Sequence, residues 1–238
     1  MPTVHLLGGG WDPAAAPALY GPFLESAGTS PVVATLVLDE GDGTTQFGRW
    51  ADVLRRTAPC EPVPLLVPLG GRLDVADLGD ADALLVCGGL TPAYADALAP
   101  VAGALATWLR AGDRPYAGFS AGAAVAADRA VVGGWRSAGV PVCPEDAGED
   151  LDEVTVTDGL ALVPWTVDVH CAQWGTLPRL LTALAGGPSG LGLALDEDTA
   201  VHVRDGVGRV AGRGTAWRAE RSGTAIAVTG LRDGDAVR

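Results

Sequence analysis

Five residues, Gly118-Phe-Ser-Ala-Gly122, interrupt an apolar run that starts at Tyr116 and resumes as an Ala-rich, helix-prone stretch reaching Val125. The pattern is G-x-S-x-G, the spacing of a nucleophile elbow. Small flanks are required because Ser120 would sit on a sharp strand-to-helix turn where a Cβ on either side clashes. Its Oγ would project from the sheet edge, with the N–H of Ala121 and the positive end of the helix dipole facing an anionic intermediate. The plainer reading is a tight turn with an incidental serine, since five residues are a short signal.

A serine nucleophile needs a base, and the choice is narrow. The sequence contains no lysine, which removes a Ser-Lys dyad, Schiff-base chemistry and Walker-type phosphate binding. Its three histidines are His5, His170 and His202. His170 follows an apolar extended run and so falls near a strand end, as Ser120 does. His202, inside Ala200-Val-His-Val203, reads as a cross-strand polar residue, and His5, inside the first strand, as a core histidine.

The elements that must position these groups are legible in the apolar patterning. Thr3 to Leu7 reads as a buried strand ending in Gly8-Gly9-Gly10, and Ala14 to Ala27 as a helix. Pro31 to Leu38 and Val63 to Val67 read as strands around a helix over Phe47 to Ala58. Ala83 to Cys87 is a fully apolar strand running into Gly88-Gly89, and the apolar stripe from Pro92 to Arg110 leads to the elbow strand. Strand–helix alternation predicts an α/β fold with a parallel sheet, whose ligands bind beyond the carboxyl ends of the strands. Gly8 to Gly10, Gly88-Gly89 and Ser120 all fall at such ends. Beyond Val132 the pattern weakens: a Gly- and Pro-rich segment, an acidic loop from Glu145 to Glu153, and an extended run from Leu160 to Val169. A helix follows over about Thr176 to Ala185, then short strands, clearest at Thr199 to Arg204, Val207 to Ala211 and Ala225 to Thr229. These are expected to be antiparallel strands that complete the sheet or cover one end of it.

Composition bounds the partners. The 238 residues suit one domain, residues 1–238, and 48% hydrophobic with 19% charged residues is a globular balance. A net charge of −13 repels phosphate backbones and anionic lipid, so neither nucleic acid nor a membrane is an expected partner. Cys60, Cys87, Cys143 and Cys171 form no C-x-x-C pair, which argues against a zinc or redox site and for reduced thiols in the cytoplasm. No signal peptide or apolar span of membrane length is recognised, and no cofactor or metal is expected. The oligomeric state is left open, a homodimer included.

Taken together, Gly88-Gly89 after a strand, Gly-Phe-Ser-Ala-Gly-Ala-Ala at 118–124, Asp168-Val-His170, Arg179-Leu180-Leu181 and Gly192-Leu-Ala-Leu-Asp-Glu-Asp-Thr-Ala200 resemble the dipeptidase E and cyanophycinase family of serine peptidases. The likeness runs over about 88–201, and the opening Leu-Leu-Gly-Gly-Gly fits as well. The resemblance implies a three-layer α/β/α sandwich of the flavodoxin-like, class I glutamine amidotransferase-like type, with a mostly parallel sheet. It implies Ser120 as nucleophile, His170 as base, Gly89 and Ala121 as oxyanion donors, and Asp168 near the reacting groups. It implies Gly88, Leu90 and Arg179 as substrate-binding positions, with Arg179 holding a carboxylate through a bidentate pair. The sequence departs from the family at Leu90-Thr91-Pro92, where Asn with a neighbouring Gln or Thr is usual, and at Trp135 to Ala138, where no carboxylate stands to orient the histidine. Glu145, Asp146, Glu149, Asp150 or Asp168 are left as candidates for that acid. The expected activity is hydrolysis of small, aspartyl or β-aspartyl, peptides through an acyl-enzyme. A catalytically weakened binding protein on the same fold is the second reading, and an ester hydrolase a third.

Overall fold

The computed structural model describes residues 2–188 and 190–238. The first half alternates as the apolar pattern predicts: β1 (Val4–Leu7), α1 (Ala16–Ala27), β2 (Val32–Asp39), α2 (Gly43–Thr57), β3 (Glu61–Pro68), β4 (Ala83–Val86), α3 (Thr91–Leu98), α4 (Ala102–Ala111) and β5 (Tyr116–Phe119). The stripe between Pro92 and Arg110 is two helices, because a 3-10 turn at Ala99–Val101 carries Pro100, which cannot continue an α-helical ladder. After the elbow come α5 (Ala121–Val125), β6 (Ala127–Gly133), the short pair β7 (Arg136–Ser137) and β8 (Val140–Pro141), β9 (Thr155–Asp158) and β10 (Val163–Asp168). The chain ends through α6 (Cys171–Trp174), α7 (Leu177–Gly186), β11 (Leu191–Leu195), β12 (Thr199–Arg204), β13 (Val207–Gly212), β14 (Ala216–Ser222), β15 (Ala225–Leu231) and β16 (Ala236–Val237).

The fold is α/β, but its main sheet is mixed rather than mostly parallel. In the order β16-β13-β12-β1-β5-β4-β2-β3, strands β1 to β5 run parallel, and β12, β13 and β16 extend the sheet antiparallel from β1. A second sheet, β15-β14-β11-β10-β6-β9, takes six of the others, and β7 and β8 pair only with each other. The tail is therefore divided: β12 and β13 complete the first sheet as expected, whereas in the second β14 pairs with β11 and β15 with β14.

Side-chain alternation explains how the layers stack, since successive residues of a strand face opposite sides. Leu7, Val33, Val37, Leu85 and Phe119 face α1 and α2, packing on Leu19, Phe23, Trp50 and Leu54. Their neighbours Leu6, Leu36, Leu84, Val86 and Tyr116 face the other way, against Tyr94, Leu98, Leu105 and Leu109 of α3 and α4 and Trp165 and Val167 of the second sheet. Leu180 and Leu184 of α7 cover the far side of that sheet with Val131, Ala194 and Ala219. No helix among the described residues is long and apolar enough to cross a membrane.

Candidate active site

β5 lies between β1 and β4, so the loops leaving all three strands meet at one edge. Ser120 stands there between β5 and α5 with φ 52° and ψ −111°, a conformation that costs a non-glycine residue on the order of 1–3 kcal/mol. The surrounding packing holds it. A Cβ on Gly118 would lie 2.2 Å from the Gly122 carbonyl oxygen, and one on Gly122 would lie 2.2 Å from the Val86 carbonyl oxygen. The two glycines of G-x-S-x-G are thus demanded by close backbone approach. The Ser120 N–H donates to the Leu7 carbonyl at 2.8 Å and the Tyr116 hydroxyl to the Gly122 carbonyl at 2.7 Å, which ties the elbow to β1 and to its own strand.

His170 comes from the second sheet. Two residues past β10 the backbone turns left-handed (φ 52°, ψ 36°), and the His170 N–H donates to the Gly8 carbonyl at 3.0 Å. This brings the imidazole across to the elbow, where Nε2 lies 2.7 Å from Ser120 Oγ. The opposite nitrogen, Nδ1, lies 2.7 Å from Glu197 Oε1. A carboxylate can only accept, so Nδ1 carries the proton and Nε2 is left to accept from the serine hydroxyl. Burial pushes the His170 pKa below its ordinary value of 6.5, and the hydrogen bond and charge of Glu197 oppose that fall only in part. The imidazole is neutral at neutral pH, as a general base must be.

Glu197 lies in the turn between β11 and β12, and its neighbours fix that turn. Asp196 accepts from the Ala172 N–H (3.0 Å), the Trp217 indole N–H (3.0 Å) and the Thr215 N–H (2.9 Å). The Glu197 N–H donates to the Gln173 side chain at 2.9 Å, and the Asp198 N–H to the Gly9 carbonyl at 2.8 Å. The Asp-Glu-Asp-Thr-Ala segment is conspicuous in the sequence, but nothing in it singles out the middle acid as the imidazole's partner.

Asp168 does not take that place. Its oxygens accept from Arg179 Nε (2.9 Å) and Nη2 (2.6 Å), with both residues at most 2% exposed. Arg179 Nη1 donates to the Ala147 carbonyl. The two expected roles, acid for His170 and clamp for a substrate carboxylate, are spent on each other: a buried guanidinium and a buried carboxylate each need a partner. Of the loop acids, Glu145, Asp146 and Asp150 are exposed, and Glu149 turns inward to accept from the Thr91 N–H (3.0 Å) and hydroxyl (3.1 Å), its pKa raised by burial.

Gly88 packs beside the serine, where an added Cβ would lie 3.1 Å from Ser120 Cβ. The Gly89 N–H has no acceptor among the described residues, and the Ala121 N–H heads α5, where a helix leaves its first donors without internal partners. Leu90 is tied through its N–H to Glu40 at 3.2 Å. Gly88, Gly89 and Leu90 share with Ser120 and His170 a cleft of about 510 Å3, whose other walls include Trp11, Arg49, Glu149 and Trp174. No cluster of side chains among the described residues could hold a metal ion.

The fold has relatives among solved structures. The chain superposes over its full length on a peptidase from an acI-B1 actinobacterium, with a TM-score of 0.69, 18% identity and 96% of that chain covered. A peptidase E-like protein from Listeria monocytogenes aligns with a TM-score of 0.55 and 14% identity, over 97% of this chain and 99% of that one. The sequence is more particular. It is 35% identical over 140 residues, 58% of this chain, to cyanophycinases of Trichormus variabilis and a Nostoc species. Those matches span only 42% of the relatives' length. The Geminocystis herdmanii cyanophycinase is 34% identical over 111 residues. No protein-family model matches. The fold neighbours and the sequence relatives together support the resemblance to the dipeptidase E and cyanophycinase family.

Proposed function

We propose that the protein is a serine peptidase that hydrolyses small peptides, aspartyl or β-aspartyl ones among them, through an acyl-enzyme. The observation that carries this reading is the continuous chain Ser120 Oγ, His170 Nε2, His170 Nδ1 and Glu197 Oε1, with 2.7 Å at each hydrogen bond, whose serine and histidine line the cleft. In the reaction, His170 Nε2 takes the Ser120 proton as Oγ attacks the peptide carbonyl, and the Gly89 and Ala121 N–H groups hold the oxyanion. The imidazolium, steadied by Glu197, returns that proton to the leaving amine. Water then enters with His170 again as base and releases the acid product.

The altered Leu90 position and the lack of a carboxylate at 135–138 are the two grounds for a binding protein without turnover, and Glu197 answers the second with a carboxylate from another element. Reduced thiols agree with a cytoplasmic setting: all four cysteines are free. The test is turnover of a mixed dipeptide pool containing α- and β-aspartyl peptides, read by mass spectrometry, for wild type, Ser120→Ala and Glu197→Gln. Cleavage by wild type that vanishes in Ser120→Ala supports the reading. Equal cleavage by Ser120→Ala, or none by any of the three, overturns it.

A further inference from the structure

Ser120 and Glu197 hold the two nitrogens of His170 but not the plane of its ring. Two other residues do. On one face lies Gly9, where an added Cβ would stand 2.2 Å from Cε1, 2.6 Å from Nδ1 and 2.8 Å from Nε2. On the other lies the Trp174 indole, stacked at 3.9 Å between ring centroids with the planes only 7° apart. The faces must be opposite, because a Cβ at Gly9 would meet imidazole atoms before any atom of Trp174. The geometry follows from α6: Trp174 is four residues after His170, its N–H donates to the His170 carbonyl at 2.8 Å, and residues four apart share a helix face.

Trp174 has no evident structural duty. It is 36% exposed and belongs to none of the apolar clusters that hold the layers together. It does border the cleft beside Ser120. We propose that Trp174 is a positioning residue: its indole fixes the imidazole of His170 in the plane joining Ser120 to Glu197, and its π face steadies the positive charge that ring acquires during acyl transfer. The second half rests on the peptidase reading; the first does not. An aromatic face attracts a cation stacked on it, so Trp174 favours the imidazolium over the imidazole. It acts in the same sense as Glu197 at Nδ1 and the more distant Asp168, against Arg179 and against burial.

The experiment is an NMR titration of the three histidines in wild type, Trp174→Leu and Trp174→Phe, with the pH profile of kcat/KM alongside. Leucine is chosen over alanine because it keeps water off the ring while removing the π face. The His170 pKa is expected to fall by about half to one unit in Trp174→Leu and to stay in place in Trp174→Phe. The acid limb of kcat/KM should move down with it, and the plateau should fall about 3- to 10-fold in Trp174→Leu alone. Unmoved His5 and His202 signals show that the fold is intact. A His170 pKa in Trp174→Leu that is unchanged or raised overturns the proposal. The titration needs no substrate: a shift without peptide turnover in wild type would sink the peptidase reading and leave the hold of the indole on the imidazolium standing.

Discussion

At the scale of single residues, the proposed mechanism runs through one proton path whose direction is set by what each atom can do. Glu197 can only accept, so it selects the tautomer with the proton on Nδ1 and leaves Nε2 basic. Glu197→Gln keeps the shape but permits the wrong tautomer and removes the charge that steadies the imidazolium. Its kcat is expected to fall on the order of 10^4-fold, against about 10^6-fold for Ser120→Ala. The measurement is kcat on whichever dipeptide wild type cleaves best. The same path predicts a pH profile. The proposed mechanism needs neutral His170, and burial holds its folded pKa below 6.5, so kcat/KM should rise with pH and reach half its plateau below that value. A midpoint above it would mean that another group controls the limb.

At the scale of elements, the serine and its glycines are a local device, and local devices are legible: a strand, a turn and a helix start within ten residues. The reach of the following helix was not. The Ala-rich stretch after Ser120 has high helix propensity, yet α5 stops at Val125. The carbonyls that a longer helix would use internally are taken from elsewhere, with Val125 accepting from Leu160, Ala126 from Leu162 and Ala127 from Ala161. Tertiary pairing thus overrides propensity and turns the next residues into β6. Asp168 misleads for a related reason. It ends β10, but the left-handed turn at His170 sends the imidazole toward the first sheet while the carboxylate stays with Arg179. That pair joins β10 to α7, and Arg179 also reaches the loop at Ala147. Asp168→Ala would leave a buried guanidinium without its carboxylate, and the expected loss of stability is about 3–5 kcal/mol, read from urea unfolding. An exposed ion pair would cost under about 1 kcal/mol, and a loss that small would refute the structural role.

At the scale of the whole molecule, the first strand is fastened to the C-terminal part of the chain by a histidine pair. His5 and His202 face each other across β1 and β12 with Nδ1 atoms 2.8 Å apart. The His202 Nε2–H donates to the Ala18 carbonyl at 2.9 Å, so His202 Nδ1 must accept and His5 Nδ1 must donate. Both rings are neutral, and protonating His202 would set two donors against each other. Burial lowers both pKa values from 6.5, that of His5 well below it, with His202 adding to the effect on His5. The unfolded chain therefore binds more protons than the folded one just below pH 6.5. The pair's contribution is complete above that value and is lost as pH falls toward the folded pKa values. Unfolding free energy should accordingly drop between about pH 7 and pH 5, and His170 adds a change of the same sign. A urea midpoint that stays constant over that interval would contradict this account.

What the sequence determined by itself was whatever neighbours along the chain decide. The strand ends with their glycines, the strand-to-helix turn at Ser120, and an α/β alternation in the first half all follow from short-range sterics and the period of apolar residues. The tertiary structure decided which distant side chains meet. It divided most of the strands between two mixed sheets, paired Asp168 with Arg179, brought Glu197 to His170 from the turn after β11, and laid Trp174 on the imidazole. Spacing in sequence cannot announce such meetings. They depend on where separate strands end relative to one another, and that is fixed only when the layers pack.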